Sequence, residues 1–230
     1  MHGKYTNPVP GRSVLLTIDV QRDFTDPGAT AEIPETSDRV PAMRRLVDAY
    51  RERRLPIVHA VRLYLADGTN VDLCRREIVE KGKAVVLPGS DGAELAEPLK
   101  PDPDVRIDAD LLLAGRLQSL ATNEWAMYKP RWDAFYRTPL EKHLRDLAIT
   151  TVVLVGCNFP NCPRATIYGA SMRDFRTVLI ADAVSGVYDR GLQELDSIGV
   201  ATPSSEEYLG WLAQSDPERV VSRATESGSP

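Results

Sequence analysis

Three residues with reactive side chains each follow an apolar, strand-like run. Asp19 comes directly after "SVLLTI", Lys129 directly after "WAMY", and Cys162 a few residues after "TVVLVG". In a doubly wound parallel sheet, ligands bind beyond the carboxyl ends of the strands, where loops and helix N-termini meet. A thiol, a carboxylate and an amine at that edge would suit nucleophilic catalysis, with the carboxylate as base for the thiol.

Cys162 begins an amphipathic segment that is predicted to be a helix. If Asn161 caps this helix, the thiol lies in its first turn, where free N–H groups favour an anion, so we expect a lowered pKa. A small buried cysteine and strand-end Asp and Lys residues in turns are the structural alternatives. Spacing alone leaves both interpretations open.

Other catalytic chemistries fit the residues less well. His2 is near the start of the chain, His59 lies inside an apolar run and His143 is on a predicted helix, so no histidine is placed as a base. Cys157 and Cys162 have no histidine nearby and make a poor zinc site. Phosphoryl transfer of the haloacid dehalogenase type requires a second Asp two residues after Asp19, where this chain has Gln21. Neither a GxGxxG nor a P-loop pattern is present.

Strand-like and helix-like segments alternate along the chain. Apolar runs at 13–19, 57–61, 125–128, 151–155 and 178–180 are separated by segments of helical periodicity. This order is typical of βαβ units and predicts an α/β fold with a doubly wound parallel sheet. Residues 62–124 exceed a simple crossover, and we interpret about 100–124 as an insertion, with a helix near 111–120, that is either a surface excursion or a lid.

Composition limits the class of protein. The 230 residues suffice for one domain, with a core at 13–214 and a disordered polar tail at about 216–230. An excess of 33 acidic over 28 basic residues argues against nucleic acid as a partner. No signal-peptide pattern or membrane-spanning run is present, and three cysteines do not form a disulfide framework. We expect a cytoplasmic protein with a small-molecule substrate and no membrane partner.

Three motifs, in order, resemble those of the isochorismatase-like cysteine hydrolases. "LLTIDVQRDF" (15–24) resembles the motif with the catalytic Asp, and "YKPRWDAFYRTPL" (128–140) the motif with the catalytic Lys. "VGCNFPNCPRATIYGASMRDFRTVLIADA" (155–183) resembles the motif with the catalytic Cys. The resemblance covers most of 13–210. It implies a three-layer α/β/α fold with a six-stranded parallel sheet, and a homo-oligomer.

The same resemblance assigns the site residues. It implies that Cys162 is the nucleophile, Asp19 the general base and Lys129 the third member of a triad. It also implies a cis peptide bond between Cys157 and Asn158, with the backbone amides of Asn158 and Cys162 as the oxyanion hole. Aromatic residues and one arginine near these motifs are candidates for substrate binding: Phe24, Tyr64, Arg131, Trp132, Phe159 and Tyr168.

The chain departs from the family pattern in two places. Phe159 stands where the family has Thr, and Pro163 follows the cysteine where Val is common. The nicotinamidase branch binds a metal through Asp-x-His after the second strand, whereas this chain reads Val61-Arg62-Leu63-Tyr64. We therefore expect no metal, no cofactor and no nicotinamide hydrolysis.

The expected activity is hydrolysis of a C–N bond in a small amide, carbamoyl or ureide compound through a thioester. The alternatives are a vinyl ether hydrolase of the isochorismatase type, or a non-catalytic binding protein on the same scaffold.

Overall fold

The computed structural model describes residues 3–215, and the tail predicted at 216–230 lies outside the described residues. Within this range six strands form one sheet: β1 (Ser13–Ile18), β2 (Ile57–Val61), β3 (Gln118–Ala121), β4 (Glu124–Tyr128), β5 (Thr151–Gly156) and β6 (Arg176–Val184). Their order is β3-β4-β2-β1-β5-β6. The strands are parallel except β3, which runs antiparallel to β4. The predicted three-layer α/β fold is confirmed, with this one antiparallel edge strand.

Eight α-helices connect or flank these strands in residues 3–215. They are α1 (Arg22–Thr25), α2 (Thr36–Glu52), α3 (Leu73–Glu80), α4 (Ala109–Leu113), α5 (Leu140–Asp146), α6 (Cys162–Ser171), α7 (Asp189–Ser197) and α8 (Ser205–Gln214). None of the helices in the described part is long and apolar enough to cross a membrane.

The central strands are buried on both faces, which explains why their sequences are almost continuously apolar. Alternate side chains of β1 enter different clusters: Leu16 and Ile18 pack with α5, α6 and α7, whereas Leu15 packs with α2 and α8. A third apolar cluster lies at the carboxyl end of the sheet, around Phe24 and Tyr64. The sheet is therefore held between two helical layers, and its carboxyl edge carries additional packed segments.

The region at 100–124 differs from its prediction. The predicted helix near 111–120 is wrong, because α4 ends at Leu113 and Gln118–Ala121 forms β3. Leu112 is buried in the third apolar cluster, and β3 pairs with β4 along the edge of the sheet. The backbone of 118–121 forms hydrogen bonds with β4, and the local sequence pattern gave no sign of this distant partner.

Candidate active site

Asp19 and Lys129 meet at the carboxyl edge of the sheet. Asp19 directly follows β1 and Lys129 directly follows β4, and the only strand between these two is β2. Lys129 Nζ lies 2.8 Å from Asp19 Oδ2, and both side chains are buried. Asp19 has a backbone φ of 55°, an uncommon conformation for a residue other than glycine. Such conformations are concentrated at functional sites.

Cys162 is the first residue of α6 and is only 2% exposed. The sheet therefore brings the three predicted residues to one place, each from a different part of the chain. Asn158 follows a cis peptide bond after Cys157, as the resemblance implied. Within residues 3–215 the backbone amides of Asn158 and Cys162 donate no hydrogen bond, so both are free for an acceptor.

The prediction that the Cys162 pKa falls is wrong. Burial raises the pKa of this thiol, and the Asp19 carboxylate raises it further, while Lys129 and Arg62 act in the opposite direction. Asn161 does not cap α6 with its side chain; its Nδ2 instead donates to Asn158 Oδ1 at 2.9 Å. Desolvation of the thiol, which the sequence did not reveal, is the largest of these effects on its pKa. The resting group is therefore a thiol that needs a base.

Arg62 also belongs to this site. The sequence indicated it only as a residue that replaces a metal-binding motif, and not as part of the catalytic group. It directly follows β2, is fully buried, and donates from Nη2 to Cys162 Sγ at 3.6 Å. Its Nε lies 3.9 Å from Asp19 Oδ1 and its Nη1 2.9 Å from Asp72 Oδ2. Burial opposes the charge on Arg62, but Asp19 and the other neighbouring groups outweigh it and raise its pKa. A fixed cation thus lies beside the thiol.

Gln21 holds the backbone at Arg62. Its Oε1 accepts from Arg62 N at 2.7 Å, and its Nε2 donates to Arg62 O at 2.8 Å. Gln21 Nε2 also donates to Ala93 O at 2.8 Å, so all three contacts come from one buried side chain. The Gln of the first motif therefore fixes the residue at the end of the neighbouring strand. A charged residue directly after an apolar strand was the signal that identified Asp19, and it also marks Arg62.

Three polar atoms at the centre of the site have no hydrogen-bond partner in the described residues: Asp19 Oδ1, Arg62 Nε and Arg62 Nη1, the last of which has only its ion-pair contact with Asp72. Buried polar groups without partners are rare in proteins and call for an explanation such as a ligand or a catalytic role. Together with the free amides of Asn158 and Cys162, they leave an unpaired acceptor and unpaired donors around one sulfur atom. This set can accept the thiol proton and stabilise negative charge.

Gly156 explains how β5 approaches β1 at this point. Its φ is 121°, and a Cβ placed there would lie 2.2 Å from the backbone oxygen of Ile18. The Cys157 thiol donates to the Asp19 backbone oxygen at 3.1 Å, and its amide donates to Ile18 O at 3.0 Å. A residue with a side chain at 156 would push the Cys162 segment away from Asp19.

A cavity of about 400 Å³ lies among the segments that follow β1 and β2. Phe24 and Tyr64, both predicted to bind substrate, line it, and Arg75 also belongs to its wall. Tyr64 Oη donates to Asp72 Oδ2 at 3.1 Å, and Arg75 Nη1 donates to Tyr64 Oη at 3.4 Å. Tyr64 therefore connects the cavity wall to the buried charges, whereas Asp19, Arg62, Lys129 and Cys162 do not line the cavity themselves. No residue from 100–124 is part of its lining.

The other predicted binding residues do not line this cavity. Phe159 is fully buried, and its ring packs at 5.3 Å against Tyr188, centroid to centroid. Trp132 and Tyr168 are 39% and 38% exposed, and neither lines the cavity. Arg131 is exposed and donates to the backbone oxygens of Asn70 and Pro130, at 3.1 and 2.6 Å. It nevertheless adjoins the site, because its Nε lies 4.0 Å from Asp72 Oδ1 and its backbone oxygen accepts from Lys129 Nζ at 3.4 Å. An aromatic residue next to a catalytic motif is thus a weak indication of substrate binding. Phe159, for example, is explained by its packing in the core.

The end of β2 does not fit a divalent metal ion. The guanidinium of Arg62 lies against both Asp19 and Asp72, where it neutralises the negative charge that these carboxylates would otherwise offer to a metal cation. The described part of the chain contains no group of three or more His, Cys, Asp or Glu residues arranged to hold a metal. The residues at the end of β2 therefore do not fit a metal ion, and metal independence of the reaction stays a prediction.

Comparison with known proteins agrees with this geometry. A family model described as an isochorismatase domain matches residues 13–202. A probable inactive nicotinamidase of Arabidopsis thaliana is 28% identical, over 87% of this chain and 96% of the relative. A ureidoacrylate amidohydrolase of Methylobacterium radiotolerans is 23% identical, over 89% of this chain and 77% of the relative.

A solved structure is also similar. The crystal structure of an isochorismatase family protein from Desulfovibrio vulgaris superposes with a TM-score of 0.75 at 26% identity, and covers 88% of this chain and 99% of that one. The resemblance drawn from the three motifs is thereby confirmed. With its strand order, its edge-of-sheet site and a family model matched over most of its length, this chain belongs to the isochorismatase family of hydrolases.

Proposed function

We propose that this protein is a metal-independent cysteine amidohydrolase that cleaves the C–N bond of a small amide, carbamoyl or ureide compound. The observation that carries the proposal is the cluster of Asp19, Lys129 and Arg62 around Cys162. Lys129 lies 2.8 Å from Asp19, and Arg62 donates to the Cys162 sulfur at 3.6 Å. A relative described as an amidohydrolase supports the same reaction class.

In the first step Asp19 accepts the Cys162 proton, and the sulfur attacks the substrate carbonyl carbon. A raised thiol pKa means that this proton moves only when a base is in place, and Asp19 Oδ1 has no other partner. Lys129 holds the other carboxylate oxygen, and Arg62 stabilises the sulfur as it gains negative charge. The C=O electron pair moves to oxygen, where the amides of Asn158 and Cys162 donate to it.

In the second step the C–N bond breaks. The nitrogen leaves as ammonia or an amine and takes the proton from Asp19, and a thioester with Cys162 remains. Asp19, ionised again, then removes a proton from water, whose oxygen attacks the thioester carbon. The acid product leaves, the proton returns to sulfur, and the site regains its starting state.

The relative described as a probable inactive nicotinamidase does not weaken this proposal. That description concerns the relative alone. In this chain the thiol, the carboxylate and the lysine are all present, and they lie together with free oxyanion donors. The proposal also does not include nicotinamide, because Arg62 occupies the place after β2 where the nicotinamidase branch has its metal motif.

A screen for ammonia release tests the proposal. Primary amides, ureides and N-carbamoyl amino acids are incubated with the protein and with Cys162→Ala. We expect turnover of at least one compound and a loss of about 10³-fold or more in Cys162→Ala. Cys74→Ala, which removes an exposed cysteine, is the matched control and retains activity. Ammonia release that persists in Cys162→Ala, or pyruvate release from a vinyl ether in its place, would contradict the proposal.

A further inference from the structure

The cavity beside Tyr64 is larger than an amide or carbamoyl group requires. Its volume is about 400 Å³, within the range of sites for organic ligands. We propose that it holds the body of the substrate, and that this body is an apolar chain ending in a carboxylate. This inference rests on the proposed function, since it places the amide at Cys162 and the remainder of the same molecule in the cavity.

The wall of the cavity is mainly apolar. Phe24, Ile33, Ile78, Val79 and Val85 contribute to it, from the segment after β1 and from α3 with the residues that follow it. Ile78 is 46% exposed in the free protein. An apolar ligand would cover part of such surface, and each buried methylene group would tighten binding about threefold to fourfold.

The charges around the cavity are unbalanced. Four charged residues line it: Glu32, Arg75, Lys81 and Lys83. Glu32 accepts from Gly28 N at 2.8 Å, and Lys81 pairs with Glu77 at 2.5 Å.

Neither Arg75 nor Lys83 forms an ion pair with a carboxylate of residues 3–215. The nearest polar contact of Arg75 is Tyr64 Oη at 3.4 Å, a neutral partner. Two uncompensated cations beside an apolar wall favour a ligand that carries a negative charge on an apolar body.

The position of Arg75 gives the ligand its direction. Arg75 and Tyr64 line the cavity, and Tyr64 donates to Asp72, which in turn contacts Arg62 beside Cys162. Tyr64 is therefore the part of the cavity wall that these contacts connect to the catalytic cluster, whereas Lys83, which also lines the cavity, is exposed to solvent. An amide at Cys162 would extend past Tyr64 and bring its carboxylate to Lys83, with Arg75 along its path.

Binding to the Cys162→Ala variant tests this arrangement without turnover. Three probes are titrated calorimetrically at low salt: succinamate, the longer homologue suberamate, and octanamide, which lacks the carboxylate. We expect suberamate to bind at least about tenfold more tightly than succinamate and about threefold more tightly than octanamide. Equal binding of suberamate and succinamate, equal binding of suberamate and octanamide, or no binding of suberamate would overturn the proposal.

Substitutions in the same background locate the contact. Lys83→Gln should weaken suberamate binding about threefold, and Lys83→Arg should preserve it, since the ion pair is partly exposed to solvent. Lys142→Gln, which changes an exposed lysine on α5, is the matched control. Ala31→Phe, which fills the cavity, should reduce the advantage of suberamate over succinamate. Retained suberamate affinity in Ala31→Phe, with a thermal unfolding midpoint like that of the parent, would place the ligand elsewhere.

Turnover separates this inference from the proposed function. Ammonia release that depends on Cys162 but does not increase from succinamate to suberamate would refute the inference and leave the amidohydrolase activity standing. Tight suberamate binding to the cavity without ammonia release from any amide would support the binding site and refute the catalytic proposal.

Discussion

Two clusters of buried polar side chains lie on the same three strands and differ in how completely they are paired. In one cluster His59 of β2 contacts Thr17 of β1 at 2.8 Å and Glu124 of β4 at 2.9 Å. Arg51 of α2 completes it with two contacts to Glu124, both under 3 Å. None of the side-chain polar atoms in this cluster is buried without a partner.

The second cluster lies further along those strands, at their carboxyl ends, and consists of Asp19, Arg62 and Lys129. Here Asp19 Oδ1, Arg62 Nε and Arg62 Nη1 lack hydrogen bonds in the described residues, and the Cys162 thiol lies beside Arg62. A fully paired buried cluster adds rigidity and specificity to the core, whereas a partly paired one retains capacity for a ligand or a proton. Burial of charge alone therefore does not distinguish the two clusters, whereas incomplete pairing does.

Arg62→Gln gives the largest effect of the substitutions that separate the clusters. It removes the cation beside Cys162, so we expect kcat/KM for the ammonia-releasing substrate to fall about 10²-fold. Because Arg62 acts to lower the Cys162 pKa, its loss should raise that pKa further. The rate of Cys162 alkylation by iodoacetamide, measured against pH, follows the thiolate and should rise at higher pH in the variant.

Arg62→Lys is the control that keeps the positive charge. Its pH profile of Cys162 alkylation should lie between those of the parent and Arg62→Gln. An unchanged alkylation profile in Arg62→Gln, together with unchanged kcat/KM, would remove Arg62 from the site. A loss of activity in Arg62→Gln without a shift in the alkylation profile would assign Arg62 a purely structural role.

Glu124→Gln should affect stability rather than activity. Burial opposes the charge on Glu124, but hydrogen bonds from Arg51 and His59 outweigh it and lower the pKa to about 2. A carboxyl pKa lowered in the folded state contributes stability above its unfolded pKa, and this is lost as pH falls through the folded value. At pH 7 we expect the variant to lose about 3 kcal/mol of unfolding free energy, measured by urea denaturation.

The difference between Glu124→Gln and the parent should diminish from about pH 4.5 toward pH 2, because the parent carboxylate becomes protonated there. Glu141→Gln, which alters a half-exposed partner of Arg173, is the control and should change stability by less than about 0.5 kcal/mol. A constant difference across this pH range would show that the charge of Glu124 is not what stabilises its cluster.

Tyr168→Ala gives the smallest expected effect. Tyr168 lies on α6 with the catalytic cysteine, yet its side chain does not line the cavity. We expect KM and kcat to change less than about twofold, in contrast to Arg62→Gln. A larger increase in KM would mean that substrate contacts the exposed face of α6 and that the cavity is not the principal binding surface.

The positions of Asp19, Lys129 and Cys162 could be predicted from the sequence because each follows an apolar strand. Strands that are buried on both faces are recognisable as runs of apolar residues. The same criterion applies to Arg62, but its position after β2 was interpreted only as the absence of a metal motif. Its role depends on Asp72, ten residues later in the chain, which no local pattern connects to it. Contacts of that kind require the coordinates.

Two other predictions failed because they depended on surroundings rather than on local pattern. The position of Cys162 at the start of a helix predicts a lowered pKa, but burial and the Asp19 carboxylate raise it. The helix predicted near 111–120 is wrong from 118 onward, because β4 offers the segment Gln118–Ala121 a strand partner. Local periodicity describes neither desolvation nor pairing between distant segments.

Intact mass spectrometry during turnover tests the central claim most directly. The protein is mixed with a substrate found in the ammonia screen and quenched in acid within the first turnovers. Its intact mass is measured first, and a digest of the same sample then locates the adduct. The account predicts a mass increase equal to the acyl group, carried by the peptide that contains Cys162, and its disappearance when substrate is exhausted. Turnover with ammonia release but no adduct in Cys162, or an adduct on another residue, would contradict it.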